Sequence, residues 1–325
     1  MSDALILEKV TKSYAEHVAV RDLSIRVPTG SVYGILGPNG AGKSTTLRMV
    51  MNILLRDEGT IRLLGRDPET DRTVLRRVGY LPEERGLYKK MKVIDVIVFF
   101  ARLKGVDATE ARRRGGAWLE RMGLEEWVHA NVDTLSKGMQ QKVQFITTVL
   151  HDPEVLILDE PQAGLDPVNQ EVLRETILNA SRSGHTVILS THNMAEAQRM
   201  CDSVCIIADG AKVLEGDVRE LRRRHRGDRY VVEFDRDTEE ARRFMAQSRL
   251  IGDARESEEA WHVELAEGAD ARSFLGQLSA LDMPLTRFEH LQPTLHEIFV
   301  SHVGNAAHPR RRDEAQLHAE EALRA

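Results

Sequence analysis

Apolar positions recur along this chain in two rhythms. Near-continuous runs at Leu5-Ile6-Leu7-Glu8-Lys9-Val10, Val20 to Val27, Ser31 to Leu36, Val155 to Leu158 and Thr186 to Leu189 predict strands. Elsewhere the spacing widens to that of a helix. Leu47, Val50, Met51 and Leu54 follow Lys43 on one face, and residues 93–123 read as two helices rich in Arg and Glu. A third helix runs from Gly138 through Val143, Ile146, Thr147 and Leu150, and another from about Pro167 to Ser183. A last helix and strands carry the pattern to about Asp217. Strands with so few polar positions are buried on both faces. Their alternation with helices predicts a parallel sheet covered by helices on each side.

The pattern breaks at the basic run Arg219-Glu220-Leu221-Arg222-Arg223-Arg224-His225-Arg226-Gly227, which reads as a helix end and linker, and then restarts. Tyr230 to Phe234 and Ala260 to Leu265 predict strands; Asp237 to Gln247, Asp270 to Leu281 and Pro293 to His302 predict helices. This pattern predicts a second, small α/β domain, with a ferredoxin-like arrangement as the expected type. The expected organisation is a first domain over 1–220, an accessory domain over 228–304 and a disordered tail over 305–325, which holds Arg310-Arg311-Arg312.

Composition narrows the function classes. The formal net charge of −6 argues against a dedicated nucleic-acid binder, so no nucleic-acid partner is expected. No apolar run approaches the roughly 18–20 residues that span a bilayer, and Val93 to Phe100 is short and interrupted by Asp95. The start Met1-Ser2-Asp3-Ala4 has no basic region followed by an apolar core, so no secretory leader is expected. The two cysteines, Cys201 and Cys205, have no further metal ligands close in sequence and read as small buried hydrophobes in a reducing cytoplasm.

The chemistry is concentrated in short motifs. Gly37-Pro38-Asn39-Gly40-Ala41-Gly42-Lys43-Ser44 is a G-x-x-x-x-G-K-[ST] phosphate loop placed between a strand and a helix. Gly37, Gly40 and Gly42 let the backbone approach phosphate oxygens, and Asn39 and Thr45 flank them. Lys43 is suited to the β- and γ-phosphates and the Ser44 hydroxyl to Mg²⁺. Asp159 and Glu160 end an apolar strand, where adjacent carboxylates are costly unless they meet cations or polar ligands.

With Leu135-Ser136-Lys137-Gly138-Met139, these motifs resemble the ATP-binding cassette family over about residues 4–220. The resemblance implies an α/β fold: a P-loop NTPase cassette with a mainly parallel core sheet, an antiparallel β subdomain and a helical subdomain at about 85–150. It also implies ATP and Mg²⁺ as ligands. Asp159 matches the family's Mg²⁺-holding aspartate, Glu160 its general base, His192 its switch histidine and Tyr14 the aromatic residue that stacks on adenine. Ser136 and Gly138 match the signature that completes the other subunit's site, and Asp166 lies in Ala163-Gly164-Leu165-Asp166, the loop that crosses the dimer seam. Three positions depart from the family pattern. Lys137 replaces a glycine, Met139 a glutamine, and Glu83 stands where a glutamine usually touches Mg²⁺ and water.

The variant signature and Gln292-Pro293-Thr294-Leu295-His296-Glu297-Ile298-Phe299 resemble the subfamily that powers two-component exporters of drugs, sodium ions or polysaccharides. The implied protein is the ATPase subunit of an exporter. It pairs as a homodimer or heterodimer, works with a separate integral-membrane permease, and sits in the cytoplasm on the inner face of the cell membrane. Val93 to Phe100 is either the floor of the groove that receives a permease helix or ordinary helix core. The second reading is a soluble cassette ATPase acting on ribosomes or nucleic acid. Ribosome-acting relatives usually carry two cassettes per chain, and chromosome relatives insert coiled coils or zinc modules, whereas neither feature is visible here.

Overall fold

The computed structural model describes residues 2–84, 86–235, 239–257, 260–281 and 283–303. The expected tail over 305–325 and Asp237, at the start of an expected helix, lie outside the described residues. The chain separates into two compact units at Val218, the second running Arg219–Ser301.

The first unit opens with β1 (Asp3–Tyr14) and β2 (His17–Pro28), then β3 (Val32–Leu36), α1 (Lys43–Val50), β4 (Glu58–Leu63) and β5 (Val78–Leu81). Three helices follow: α2 (Val93–Leu103), α3 (Ala108–Arg121) and α4 (Lys137–Val149). The chain then alternates through β6 (Val155–Asp159), α5 (Pro167–Arg182), β7 (Thr186–Thr191), α6 (Met194–Met200), β8 (Ser203–Ala208) and β9 (Ala211–Asp217), and α7 (Val218–Arg224) leads into the second unit. A six-stranded sheet has the order β5-β6-β7-β3-β8-β9, parallel except for the β8–β9 hairpin. A separate antiparallel sheet has the order β2-β1-β4.

Every residue of β3, β6 and β7 is buried, as expected for central strands covered on both faces. The helices between β5 and β6 form a cluster of their own. Val93, Ile94, Ile97 and Ala101 of α2 are buried at helical spacing, and a Cβ on Gly115 of α3 would come within 2.9 Å of Ile97, so the two helices meet through that glycine. The side of α2 that carries Val93, Ile94, Val96 and Ile97 is therefore core, while Phe99 and Leu103 face outward.

The parallel register decides where chemistry gathers. Leu36 pairs with Thr191, Leu158 with Leu81, and Asp159 with Ser190. The turns after β3, β5, β6 and β7 thus leave the sheet along one carboxyl edge, the usual ligand edge of such sheets.

The second unit contains β10 (Arg229–Phe234), α8 (Glu239–Gln247), β11 (Ile251–Glu256), β12 (Trp261–Leu265), α9 (Ala271–Ser279) and β13 (Leu285–His290), with a closing helix over 295–303. Its sheet is antiparallel with the order β11-β12-β10-β13, a ferredoxin-like β-α-β-β-α-β arrangement. Tyr230, Val232, Val263, Phe274 and Leu278 form its core.

Several elements differ from the sequence pattern. α1 stops at Val50, with Met51 closing its last turn, so Leu54 lies beyond it. The sequence pattern does not signal β4, β5, β11 or β13 as strands. β4 buries only Ile61 and Leu63, and β11 buries no residue fully, so neither presents an apolar run. Cys201 and Cys205 are both buried, and burial pushes both thiols well above the usual thiol range.

Candidate functional site

The turn between β3 and α1 depends on its glycines. Gly42 has φ +99°, and a Cβ there would lie 2.3 Å from the Ala19 carbonyl oxygen. At Gly37, with φ +155°, the added atom would fall 2.1 Å from the Ile207 carbonyl oxygen. Lys43 opens α1 and is buried. Its Nζ donates to the carbonyls of Gly37 at 2.9 Å and Pro38 at 3.1 Å and stands 3.6 Å from Glu160 Oε1.

The two carboxylates at the end of β6 have different surroundings. Asp159 is fully buried; its Oδ1 accepts from the Ser44 hydroxyl at 3.1 Å and from Ser190, while Oδ2 is buried without a hydrogen-bond partner. A buried carboxylate oxygen without a donor is costly. Beside the Ser44 hydroxyl it forms a hard-oxygen donor set that fits Mg²⁺, an ion that takes one or two carboxylates plus phosphate and water oxygens. Glu160 has φ +46°, a left-handed backbone that costs a non-glycine residue roughly 1–2 kcal/mol. Its N–H donates to the Ser190 carbonyl at 3.1 Å, which helps hold that conformation. Its carboxylate accepts from Thr191 Oγ1 at 3.3 Å and lies 2.9 Å from His192 Nδ1.

A cavity of about 530 Å³ opens over this edge. Tyr14, Asn39, Gly40, Gly42, Lys43, Ser44, Thr45, Glu83 and Glu160 are among its walls. Gly37, Asp159 and His192 adjoin it through their bonds to Lys43, Ser44 and Glu160. Tyr14 is 44% exposed, with Lys12 Nζ 5.7 Å from its ring centroid, and offers a flat face for stacking.

Ser136, Gly138 and Asp166 are not among the cavity walls. Ser136 caps α4, its Oγ accepting from the Met139 N–H at 3.3 Å. Asp166 caps α5, accepting from the Asn169 N–H at 3.1 Å, and its bonds to Asn169 hold its carboxyl below the usual range. A Cβ on Gly138 would lie 3.7 Å from Leu165, so the starts of α4 and α5 are neighbours. Sequence reasoning assigned no role to Ser190 and Thr191, which hold Asp159 and Glu160. Their signal was available: two hydroxyls end a buried strand beside the strand that ends in two carboxylates.

Comparison with known proteins shows the family. The ABC transporter family model matches residues 20–163, and the model for the ATP-binding protein DrrA1-3-like C-terminal domain matches residues 216–303. The ABC transporter ATP-binding protein YhaQ of Bacillus subtilis is 38% identical over 300 residues, which is 92% of this chain and 98% of that protein. This chain belongs to the ABC transporter ATP-binding family. The Nod factor export ATP-binding protein I of Paraburkholderia xenovorans is 40% identical to the cassette over 214 residues, 66% of this chain and 70% of that protein. A solved ATP-binding subunit of an ABC transporter shares 30% identity at a TM-score of 0.64, covering 68% of this chain and 92% of that one. CbiO1 of Clostridium perfringens, part of the transporter complex cbiONQ, shares 28% identity at a TM-score of 0.60, covering 68% and 91%. The cassette is thus an ATPase and the ATP-binding subunit of a transporter. Among its described residues no helix is long and apolar enough to cross a membrane.

Proposed function

We propose that this ATPase drives export. It acts as a head-to-tail pair, of two copies or of this chain with a similar one, joined to a separate integral-membrane permease at the inner, cytoplasmic face of the cell membrane. The observation that carries the reading is the division of the site. Residues suited to hold ATP and its phosphates line one cavity, while Ser136, Gly138 and Asp166 lie elsewhere at two neighbouring helix starts. A helix start is an anion site, so a second subunit's γ-phosphate accounts for the separated group. The Nod factor export relative supports the export direction, and the neighbour from the cbiONQ complex supports a multi-subunit assembly.

In this mechanism Lys43 exchanges the carbonyls of Gly37 and Pro38 for the β- and γ-phosphate oxygens of ATP, and Tyr14 stacks on the adenine. Ser44 and Asp159 would hold Mg²⁺, which would supply charge neutralisation for phosphoryl transfer. Glu160 accepts the proton of the attacking water, oriented by Thr191 and His192. Glu83 meets the γ-phosphate end of the site from the loop after β5.

The test is purification of a tagged Glu160→Gln chain with ATP from detergent-solubilised membranes. A protein with several spanning helices is expected to co-purify, and the wild-type pair in vesicles should move a compound outward only with ATP. Recovery with ribosomes and no membrane partner would replace the exporter by the soluble reading.

A further inference from the structure

α4 carries two buried glutamines, Gln141 and Gln144, which are 3% and 4% exposed. Three residues apart, they lie on one face of the helix. Each donates its side-chain amide to a loop of the nucleotide site. Gln144 Nε2 reaches the carbonyl of Pro82 at 3.4 Å and that of Glu84 at 3.2 Å, the residues on either side of Glu83. Gln141 Nε2 reaches the carbonyl of Pro161 at 3.3 Å, immediately after Glu160. The amide orientation at Gln144 follows from chemistry, since the reverse would set Oε1 against two carbonyl oxygens.

We propose that Gln144 and Gln141 are positioning residues for hydrolysis, which strap the Glu83 loop and the Glu160 segment to the helix that starts at Ser136. One rigid element then joins the group presented to the partner's nucleotide with the two carboxylates of the chain's own site. A displacement of α4 when Ser136 engages the partner's γ-phosphate moves both carboxylates together. Gln144 thereby times hydrolysis in one site to occupancy of the other. The inference rests on the reading of Glu83 and Glu160 given above.

Gln144→Met keeps the length and apolar stem but removes the donors. It is expected to lower kcat about tenfold and leave KM for ATP and ADP affinity within about twofold, because Lys43 and its loop are untouched. Hydrogen exchange at the Glu83 and Glu84 amides should quicken, and Gln141→Met should quicken it at Gln162 and Ala163 instead. In a Glu83→Ala background, Gln144→Met should cost less than about twofold, since residues acting as one unit are non-additive. Unchanged exchange in both methionine variants would overturn the straps. Equal losses with and without Glu83 would overturn the route through Glu83. A Glu83→Ala chain that hydrolyses ATP normally would instead remove the role given to Glu83, and the exchange measurement would still decide the straps.

Discussion

At the residue scale, Lys43 and Glu160 divide binding from chemistry. The Lys43 ammonium is buried among two carbonyls and a carboxylate, an arrangement that keeps a cation tolerable where water is scarce. Lys43→Ala removes the charge that phosphate would claim, so ATP affinity should fall at least about tenfold; titration calorimetry checks it, and unchanged affinity would reject the loop assignment. Glu160→Gln keeps the shape and frees Lys43 of its anion, so ATP binding should persist while turnover drops by about 10²-fold or more. His151 carries a pH signature. Burial, aided by nearby Lys104, pushes its pKa from 6.5 down to about 4. Between those values the unfolded chain takes up a proton that the folded one refuses, so stability falls as pH drops through that window and levels off below it. Urea unfolding of His151→Gln should show a shallower loss between pH 6.5 and 4 than the wild type.

At the scale of elements, α2 divides its apolar residues between two tasks. Val93, Ile94, Val96 and Ile97 pack inward, whereas Tyr88 is 52% exposed and meets Phe99 edge-on at 5.4 Å and Phe100 stacked at 6.1 Å. Tyr80, Leu87, Phe100 and Leu103 are among the walls of a groove of about 290 Å³ beside this cluster. Exposed aromatics next to an apolar groove mark an interaction site. Under the export reading proposed above, this groove, which follows the Glu83 loop directly, would receive the permease and move with the nucleotide. Tyr88→Glu should therefore abolish co-purification of the permease while the isolated chain still binds ATP. A fully retained complex would place docking elsewhere.

At the scale of the whole molecule, the head-to-tail pairing proposed above would make association depend on nucleotide. Glu160→Gln chains should sediment as dimers with Mg²⁺-ATP and as monomers without it. A monomer at saturating ATP would leave only a heterodimer or a pair held by the permease. The second unit has its own core, in which Phe274 is fully buried between Tyr230, Phe244 and Phe288. Truncating such a ring costs about 3–5 kcal/mol, comparable to the total stability of a small domain. Phe274→Ala should unfold this unit, visible as lost amide protection over β10 and β12. ATP affinity should be retained, because the walls of the nucleotide cavity come from the first unit.

The sequence by itself determined what is local. The phosphate loop, the Asp159–Glu160 pair after an apolar strand, the buried central strands and the family likeness all rest on contiguous residues whose chemistry needs no partner to be recognised. Tertiary structure decided what depends on register and reach. Only the parallel pairing brings the ends of β3, β5, β6 and β7 to one edge, and only there does Ser190 meet Asp159 or Thr191 meet Glu160. The strands β4 and β11 do not show in the sequence pattern because solvent rather than core sets most of their side chains, so neither carries an apolar run. Gln144 was equally silent: a glutamine on a helix reads as surface until the fold buries it against two carbonyls. The separation of Ser136 and Asp166 from the cavity is likewise a property of the packed helices, since adjacency in space is set by long-range burial and not by spacing along the chain.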